Sequence, residues 1–492
     1  MKNKFLIVAL SFAVFTSWAQ SKTAEGAFVV KPYLQIGKNP TPETLQLLWH
    51  TSDIDADWSV EFRTGSTGSW KKTELPKFRK INVGGVEPHR IYEIMFNGLE
   101  PGSIFNYKVS RQKKVVFESS AHAAKRDDQP YSFVAFGDCG AGTAEQKPLA
   151  NRAFLSNPDL VIILGDIVYE HGLVSEYRTK FWPIYNADKV DEAGAPLIRS
   201  IPFVASPGNH DTDTRNLDQY PDALAYYMLL DQPLNGPVGS EGGAFVPKLI
   251  ASDNNRKAFI DAAGEAYPRM TNFSFNYGNA HWTIVDSNPY VDWTEKELVD
   301  WVANDLANAK NATWRFVAFH HPGFNSAREH YEQQHMRLLA PVFEAGNVDV
   351  VFNGHVHNYQ RSFPLKFIPD KKGTLLVGGK EGKTVRGRVV NGQWTLDKSF
   401  DGNRDTTPEG IIYIVTGAGG QELYNPEQNN DPDSWQKFTD KFYSTVHSIT
   451  VATVEGKKLT IKQITADGTE LDKFVITKSQ NQPDKMQANN QK

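Results

Sequence analysis

Leu160-Val161-Ile162-Ile163-Leu164-Gly165-Asp166-Ile167-Val168-Tyr169 is a run of five apolar residues that breaks on a glycine, an aspartate and, three residues later, a tyrosine. Five apolar residues without a polar interruption read as a strand buried on both faces, as in a parallel sheet covered by helices. The same grammar recurs along the chain. Phe133 to Phe136 runs into Gly137-Asp138-Cys139-Gly140, and Phe203 to Ala205 leads to Gly208-Asn209-His210-Asp211. Phe316 to Phe319 leads to His320-His321-Pro322, and Val348 to Phe352 leads to Gly354-His355-Val356-His357. A further run spans Ile411 to Val415, and helical patterning lies between several runs, as from Thr294 to Ala309. Alternating β and α elements indicate an α/β core. Ligands of open α/β sheets bind outside the carboxyl ends of the strands, so the Asp, Asn, Tyr and His side chains after these runs are expected to converge.

Upstream, the pattern changes to a period of two: Leu45, Leu47 and Trp49; Trp58, Val60 and Phe62; Tyr92, Ile94 and Phe96. Such alternation predicts half-buried strands. With turn signals at Gly65-Ser66-Thr67-Gly68 and Pro101-Gly102 it predicts a β-sandwich over residues 28–124. Leu99-Glu100-Pro101-Gly102-Ser103-Ile104-Phe105-Asn106-Tyr107 resembles the corner of a fibronectin type III domain, with Phe105 in the corner-tyrosine position and Tyr107 as its substitute. The polar stretch Lys125 to Pro130 reads as a linker to a catalytic domain over 130–478, whose last strands, near Ser448–Val454 and Leu459–Ile464, form a hairpin around Glu455-Gly456. Lys2 and Lys4, the apolar run Phe5 to Phe15 and Ser17-Trp18-Ala19 read as a signal peptide over 1–20, too short for a membrane span. This predicts a secreted or periplasmic protein. Residues 479–492 are rich in Gln, Asn, Asp and Lys and are expected to be disordered.

Composition narrows the class. With 40% hydrophobic and 22% charged residues the 492-residue chain can bury a sizeable core, and a net charge of −4 argues against a sequence-independent nucleic-acid binder. The single cysteine, Cys139, excludes a disulfide scaffold and a Cys-based zinc site, and it reads as a small buried residue. Neither Gly-x-Ser-x-Gly nor a P-loop occurs, so no serine nucleophile or phosphate-cradling loop of those types is indicated.

The donors behind the strands are carboxylates, an amide, a phenol and imidazoles, which suit Fe, Zn or Mn and not Cu(I) or an Fe–S cluster. Each fragment alone has an ordinary structural reading: a Gly-Asp turn, a capped helix start, a core tyrosine. Five of them in one order, each behind a buried run, point to a metal site. Gly-Asp-x-Gly, Gly-Asp-x-x-Tyr, Gly-Asn-His-Asp, Val-x-x-His (Val317 to His320) and Gly-His-x-His resemble the motif set of the purple acid phosphatases, a branch of the calcineurin-like metallophosphoesterases. The segment from Gly354 to Ser362 is similar to that family's extended last motif, with Gln360 where the family has Glu.

The resemblance implies an α/β metallophosphoesterase sandwich, two mixed sheets flanked by helices, behind the fibronectin type III-like domain. It implies that Asp138, Tyr169 and His357 hold Fe(III), that Asn209, His320 and His355 hold a divalent Zn, Fe or Mn, and that Asp166 bridges the two. His210 and His330 are the implied substrate histidines; His321 is either a supporting or a packed residue, and His171 and His335 are solvated or structural. The activity implied is hydrolysis of phosphate monoesters of small molecules by in-line attack of a metal-bound hydroxide. A phosphodiesterase or nucleotide hydrolase on the same site is the alternative, and a non-catalytic binding protein is a third reading. The segments near 213–268 and 363–409 are long and are expected to reshape the rim of the site.

Overall fold

The apolar runs form strands where the sequence places them. The computed structural model describes residues 26–370 and 389–478, so the signal-peptide and tail segments lie outside the described residues. Tyr131–Phe136, Leu160–Leu164 and Phe203–Ser206 pair in parallel, Val161 sitting opposite Val134 on one side and Phe203 on the other. Ser448–Glu455 joins antiparallel to the first of these and continues into the expected hairpin with Lys458–Thr465, followed by Glu470–Thr477. The second sheet has seven strands, with Trp314–Ala318, Val350–Asn353 and Ile412–Thr416 parallel at its centre.

The two mixed sheets face each other across an aromatic layer. Phe133 from the first sheet meets Trp282, Phe316 and Phe352 from the second at ring-centroid distances of 5.1, 5.7 and 5.7 Å. The side-chain period of two sends Phe133, Ala135, Ile162 and Leu164 into this layer and Val134, Phe136, Val161 and Ile163 to the opposite face. There, helix Gln146–Leu155 contributes Leu149 and Ala153 to the same cluster, and Leu298, Val302 and Leu306 of helix Lys296–Asn308 join Val317 and Val351. Both faces are therefore dry, which is why these strands lack alternation. This is the sandwich of two mixed sheets flanked by helices that the motif resemblance implies.

The N-terminal strands, Val30–Gln35 to Lys114–His122, enclose a core of Leu45, Leu47, Trp49, Phe62, Phe96, Phe105 and Tyr107 between two sheet faces, consistent with a fibronectin type III-like domain. Two expectations need correction. Thr44–Ser52 is not half-buried: Leu45 to Thr51 are buried on both faces. The reason is that Val30–Gln35 pairs with Phe203–Ser206 in parallel, Gln35 opposite Phe203, so one ten-stranded sheet runs from the C-terminal part of the chain into the N-terminal strands. Leu48 and Tyr33 thereby belong to the same core cluster as Val134, Val161 and Phe203. Second, the Tyr107 hydroxyl reaches beyond its own domain; it donates to the Arg199 carbonyl, 2.9 Å away.

Tyr33 makes the same kind of tie. Its hydroxyl donates to the Leu229 carbonyl at 2.8 Å and lies 3.0 Å from His50 Nε2, while its ring stacks on Trp182 at 4.4 Å. Tyr33→Phe keeps the ring and strands two buried polar groups. It is expected to destabilise the protein by about 1–3 kcal/mol, read as a lower urea midpoint with an unchanged slope.

Candidate metal centre

Asp138, Asp166 and His355 each follow a strand end, and each has a left-handed backbone, with φ of 59°, 48° and 66°. Non-glycine residues adopt that conformation at a cost of roughly 1–2 kcal/mol. The turns are held by bonds between neighbouring strand ends: Asp138 N–H donates to the Gly165 carbonyl at 3.1 Å and Cys139 N–H to the Asp166 carbonyl at 3.2 Å. The backbones approach so closely that a Cβ on Gly165 would lie 2.5 Å from His320 Nδ1, and one on Gly354 2.5 Å from the Leu164 carbonyl oxygen. The motif glycines are thus required by space.

One half of the site comprises Asp138, Tyr169 and His357. The Tyr169 hydroxyl donates to Asp138 Oδ1 at 3.0 Å and sits 3.2 Å from His357 Nε2, which is 3.4 Å from Asp138 Oδ1. The other half comprises Asp166, Asn209, His320 and His355. His320 Nε2 lies 3.1 Å from both Asp166 Oδ2 and Asn209 Oδ1, and donor atoms of Asp166, His320 and His355 lie within 4.8 Å of one another. His320 Nε2 is also 3.9 Å from Asp138 Oδ1, which joins the halves.

These spacings fit metal ions. Donors about 2.0–2.2 Å from one ion, separated by right to tetrahedral angles, lie roughly 2.8–3.6 Å apart. The ring nitrogens are also prepared. His320 Nδ1–H donates to the Leu164 carbonyl at 2.7 Å and His357 Nδ1–H to the Glu422 carbonyl at 2.8 Å, so in both neutral rings Nε2 carries the lone pair and points into the site. Phenol, carboxylates, amide and imidazoles form a hard-to-borderline set.

The electrostatics also favour a cation. Burial opposes charge on His320, yet Asp166 and Asp138 raise its pKa to about 9. Burial likewise opposes charge on Asp166, and His320 and His210 hold its carboxyl well below the usual range. A proton on His320 thus stands where positive charge is demanded. Burial, with the charges of Asp138 and Asp166, pushes the Tyr169 phenol up, whereas burial and His321 push His355 down and keep it neutral.

Of the histidines assigned to substrate, His210 donates Nδ1–H to the Glu170 carbonyl at 2.7 Å, leaving Nε2 3.9 Å from Asp166 Oδ2. His330 packs its ring 4.1 Å from that of His355 and lines a cavity of about 790 Å³. The cavity wall comes mainly from 326–336 and 428–436; among the described residues of the two long segments, Asp213 is the one that reaches it. His321 stands 4.1 Å from the His355 ring and accepts or donates at Ser287 Oγ, 3.1 Å away. His335 is structural, with Nε2–H donated to the buried Ser287 carbonyl at 2.7 Å. His171 lies 3.2 Å from Thr214 Oγ1, and Cys139 is buried.

Sequence reading missed three supporting residues. Asp211 accepts from Gly208 N–H at 2.8 Å and Ile167 N–H at 3.2 Å, binding two motif loops together. Tyr424 stacks on His357 at 4.0 Å. Gln333 places Oε1 2.7 Å from His355 Nε2. Asp211 lies inside a motif and was open to discovery; the other two carry no local signal.

Residues 131–359 match the calcineurin-like phosphoesterase family. Purple acid phosphatase 13 of Arabidopsis thaliana is 23% identical over 375 residues, which are 70% of this chain and 56% of that protein. A probable inactive purple acid phosphatase 27 of the same plant is 22% identical over 364 residues, 65% of this chain and 54% of that protein. The chain thus spans little more than half the length of these two relatives. Among solved structures, purple acid phosphatase PPD1 from yellow lupin (Lupinus luteus) seeds matches the fold with a TM-score of 0.62 at 18% identity, covering 91% of this chain and 74% of that one. Residues 131–359 are thus similar to the calcineurin-like phosphoesterases, and the relatives and the solved structure named here are purple acid phosphatases.

Proposed function

We propose that this chain is an exported, binuclear metal-dependent phosphatase that hydrolyses phosphate monoesters of small molecules. The observation that carries the reading is the convergence of seven donor side chains from five strand ends in two groups that meet between His320 and Asp138. Asp138, Tyr169 and His357 would hold a ferric ion, Asn209, His320 and His355 a divalent Zn, Fe or Mn, and Asp166 would bridge them. Such ions, when bound, activate water at mild pH and neutralise charge on phosphoryl oxygens. The chain's own side chains supply the rest. His210, with Nδ1 engaged by the Glu170 carbonyl, offers Nε2 to the leaving alcohol. His330 faces the substrate from the cavity wall. Export is supported by the pattern of Lys2, Lys4 and Phe5 to Phe15, and among the described residues no helix is long and apolar enough to cross a membrane.

The cavity also bears on substrate choice. Among the described residues its charged lining is Asp213, Glu329, Glu332 and one guanidinium, Arg328, which is engaged by Glu427 at 3.3 Å. An acid-rich wall repels a second phosphate, which favours monophosphates of neutral alcohols over nucleoside triphosphates. Monoesters, diesters and a nucleoside triphosphate compared side by side should rank in that sense by kcat/KM; faster diester hydrolysis than monoester hydrolysis would overturn the monoesterase reading.

Elemental analysis of purified protein should find about two metals per chain, one of them iron. Asp166→Asn and His355→Ala should each lower activity by about 100-fold or more, Asp166→Asn the further because it serves both ions. The oxidised protein should be violet to purple from phenolate-to-iron charge transfer, and Tyr169→Phe should bleach that band. An active, iron-loaded, oxidised protein without colour would rule out Tyr169 as a ligand. His210→Ala should keep both metals yet slow esters with poor leaving groups by about 10²–10⁴-fold, and good leaving groups much less; equal losses for both would exclude an acid role.

A further inference from the structure

Gln333 offers no ligand of its own, yet its amide touches two of the histidines that matter. Oε1 lies 2.7 Å from His355 Nε2, and Nε2 lies 3.1 Å from His330 Nδ1. The contact is built into the backbone. Gln333 N–H donates to the His330 carbonyl at 3.0 Å, closing a tight turn in which His330 has a φ of 58°. The turn stacks the His330 ring 4.1 Å from His355 and sets it 5.5 Å from Tyr424, which in turn stacks on His357.

A primary amide has one accepting end and one donating end. Its oxygen only accepts, so His355 Nε2 must carry the hydrogen, and Nδ1 keeps the lone pair. A metal-ligating imidazole must be in one defined tautomer, set by the bond its other nitrogen makes. With the oxygen committed to His355, the amide nitrogen donates to His330 Nδ1, so the proton of the neutral His330 ring resides on Nε2. A flipped amide would set NH₂ against Nε2–H of a metal-bound His355, two donors facing each other. We infer that Gln333 is a positioning residue that fixes both tautomers with one amide: it reserves His355 Nδ1 for a metal ion and makes His330 Nε2–H a donor to the phosphoryl group. This rests on the phosphatase reading proposed above and extends it, because metal binding and phosphate recognition become coupled through one side chain. By linkage each strengthens the other.

The test uses the full-length protein with zinc alone and inorganic phosphate as probes. Q333M removes both ends of the amide, Q333E keeps an acceptor for His355, and Q333K keeps only a donor. Zinc affinity measured by chelator competition should fall about 10- to 100-fold for one of two zinc ions in Q333M and Q333K. In Q333E it should stay within about threefold of wild type or tighten, because a carboxylate also accepts from His355. Phosphate affinity of the zinc-loaded protein should fall about threefold to tenfold in Q333M. In an H330A background Q333M should cost no further phosphate affinity while its full effect on zinc persists. Should Q333M fail to fold by circular dichroism, the contrast between Q333E and Q333K carries the same prediction. Wild-type zinc affinity in Q333M, equal zinc loss in Q333E and Q333K, or a phosphate effect of Q333M independent of His330 each overturns the inference. A wild-type protein that binds neither zinc nor iron nor manganese overturns the phosphatase reading itself, and the two failures are thereby distinguished.

Discussion

One hydrogen bond between the two sheets governs the rest of the site: His320 Nδ1–H to the Leu164 carbonyl, 2.7 Å, wholly buried. It joins the end of a first-sheet strand to the loop after a second-sheet strand, so the carboxyl ends of both parallel sets meet at one point. It also orients the ring, since the engaged nitrogen leaves Nε2 to face Asp166 and Asn209. The packing needed to make this bond excludes side chains at Gly165 and Gly354, and it draws Gly354 N–H onto the His320 carbonyl at 3.0 Å. Asn353 then donates to the Phe319 carbonyl at 2.9 Å and keeps the neighbouring strand ends in step. The glycines, the turn and the tautomer are consequences of one contact.

Around that contact the fold gathers two buried carboxylates with few compensating cations. Burying an ionised carboxylate is costly unless it is paired or coordinated. Asp138 is offset in part by His355 N–H, at 2.8 Å, and by the Tyr169 hydroxyl, and Asp166 by His210 N–H at 2.9 Å and by His320. The proton drawn to His320 marks the place where a bound cation would relieve the same field. A pocket made only for packing would have no reason to hold two carboxylates within reach of three imidazoles and a phenol.

Much of this was legible in the sequence because it is local. An unbroken apolar run followed at once by Gly and a donor states both the strand and the position of its ligand, and Leu160 to Tyr169 says so in ten residues. What pairs with what over long range was not legible. Nothing in Val30–Gln35 announces that it lies beside Phe203–Ser206, and without that pairing Thr44–Ser52 reads as half-exposed. Tyr107 has the right residue type for a domain corner, but its partner, the Arg199 carbonyl, comes from another part of the chain. Gln333 shares that character: its importance lies in two contacts that only the folded turn creates.

The seam between Gln35 and Phe203 has a consequence for how the molecule keeps itself apart from its neighbours. Val30–Gln35 covers the edge of Phe203–Ser206 at Phe203, and the Gln232 side chain covers it at Ala205, accepting from the N–H at 2.6 Å and donating to the carbonyl at 3.1 Å, so an edge that could template self-association is closed from two sides. The N-terminal domain thus shares with Gln232 the guard against edge-to-edge aggregation. It also sets an order of events: this edge can close only when residues from both ends of a long loop of chain have met, and such non-local pairing is slow to form. A chain whose N-terminal strands are damaged would thus lose the cover at Phe203 while Gln232 still holds Ala205.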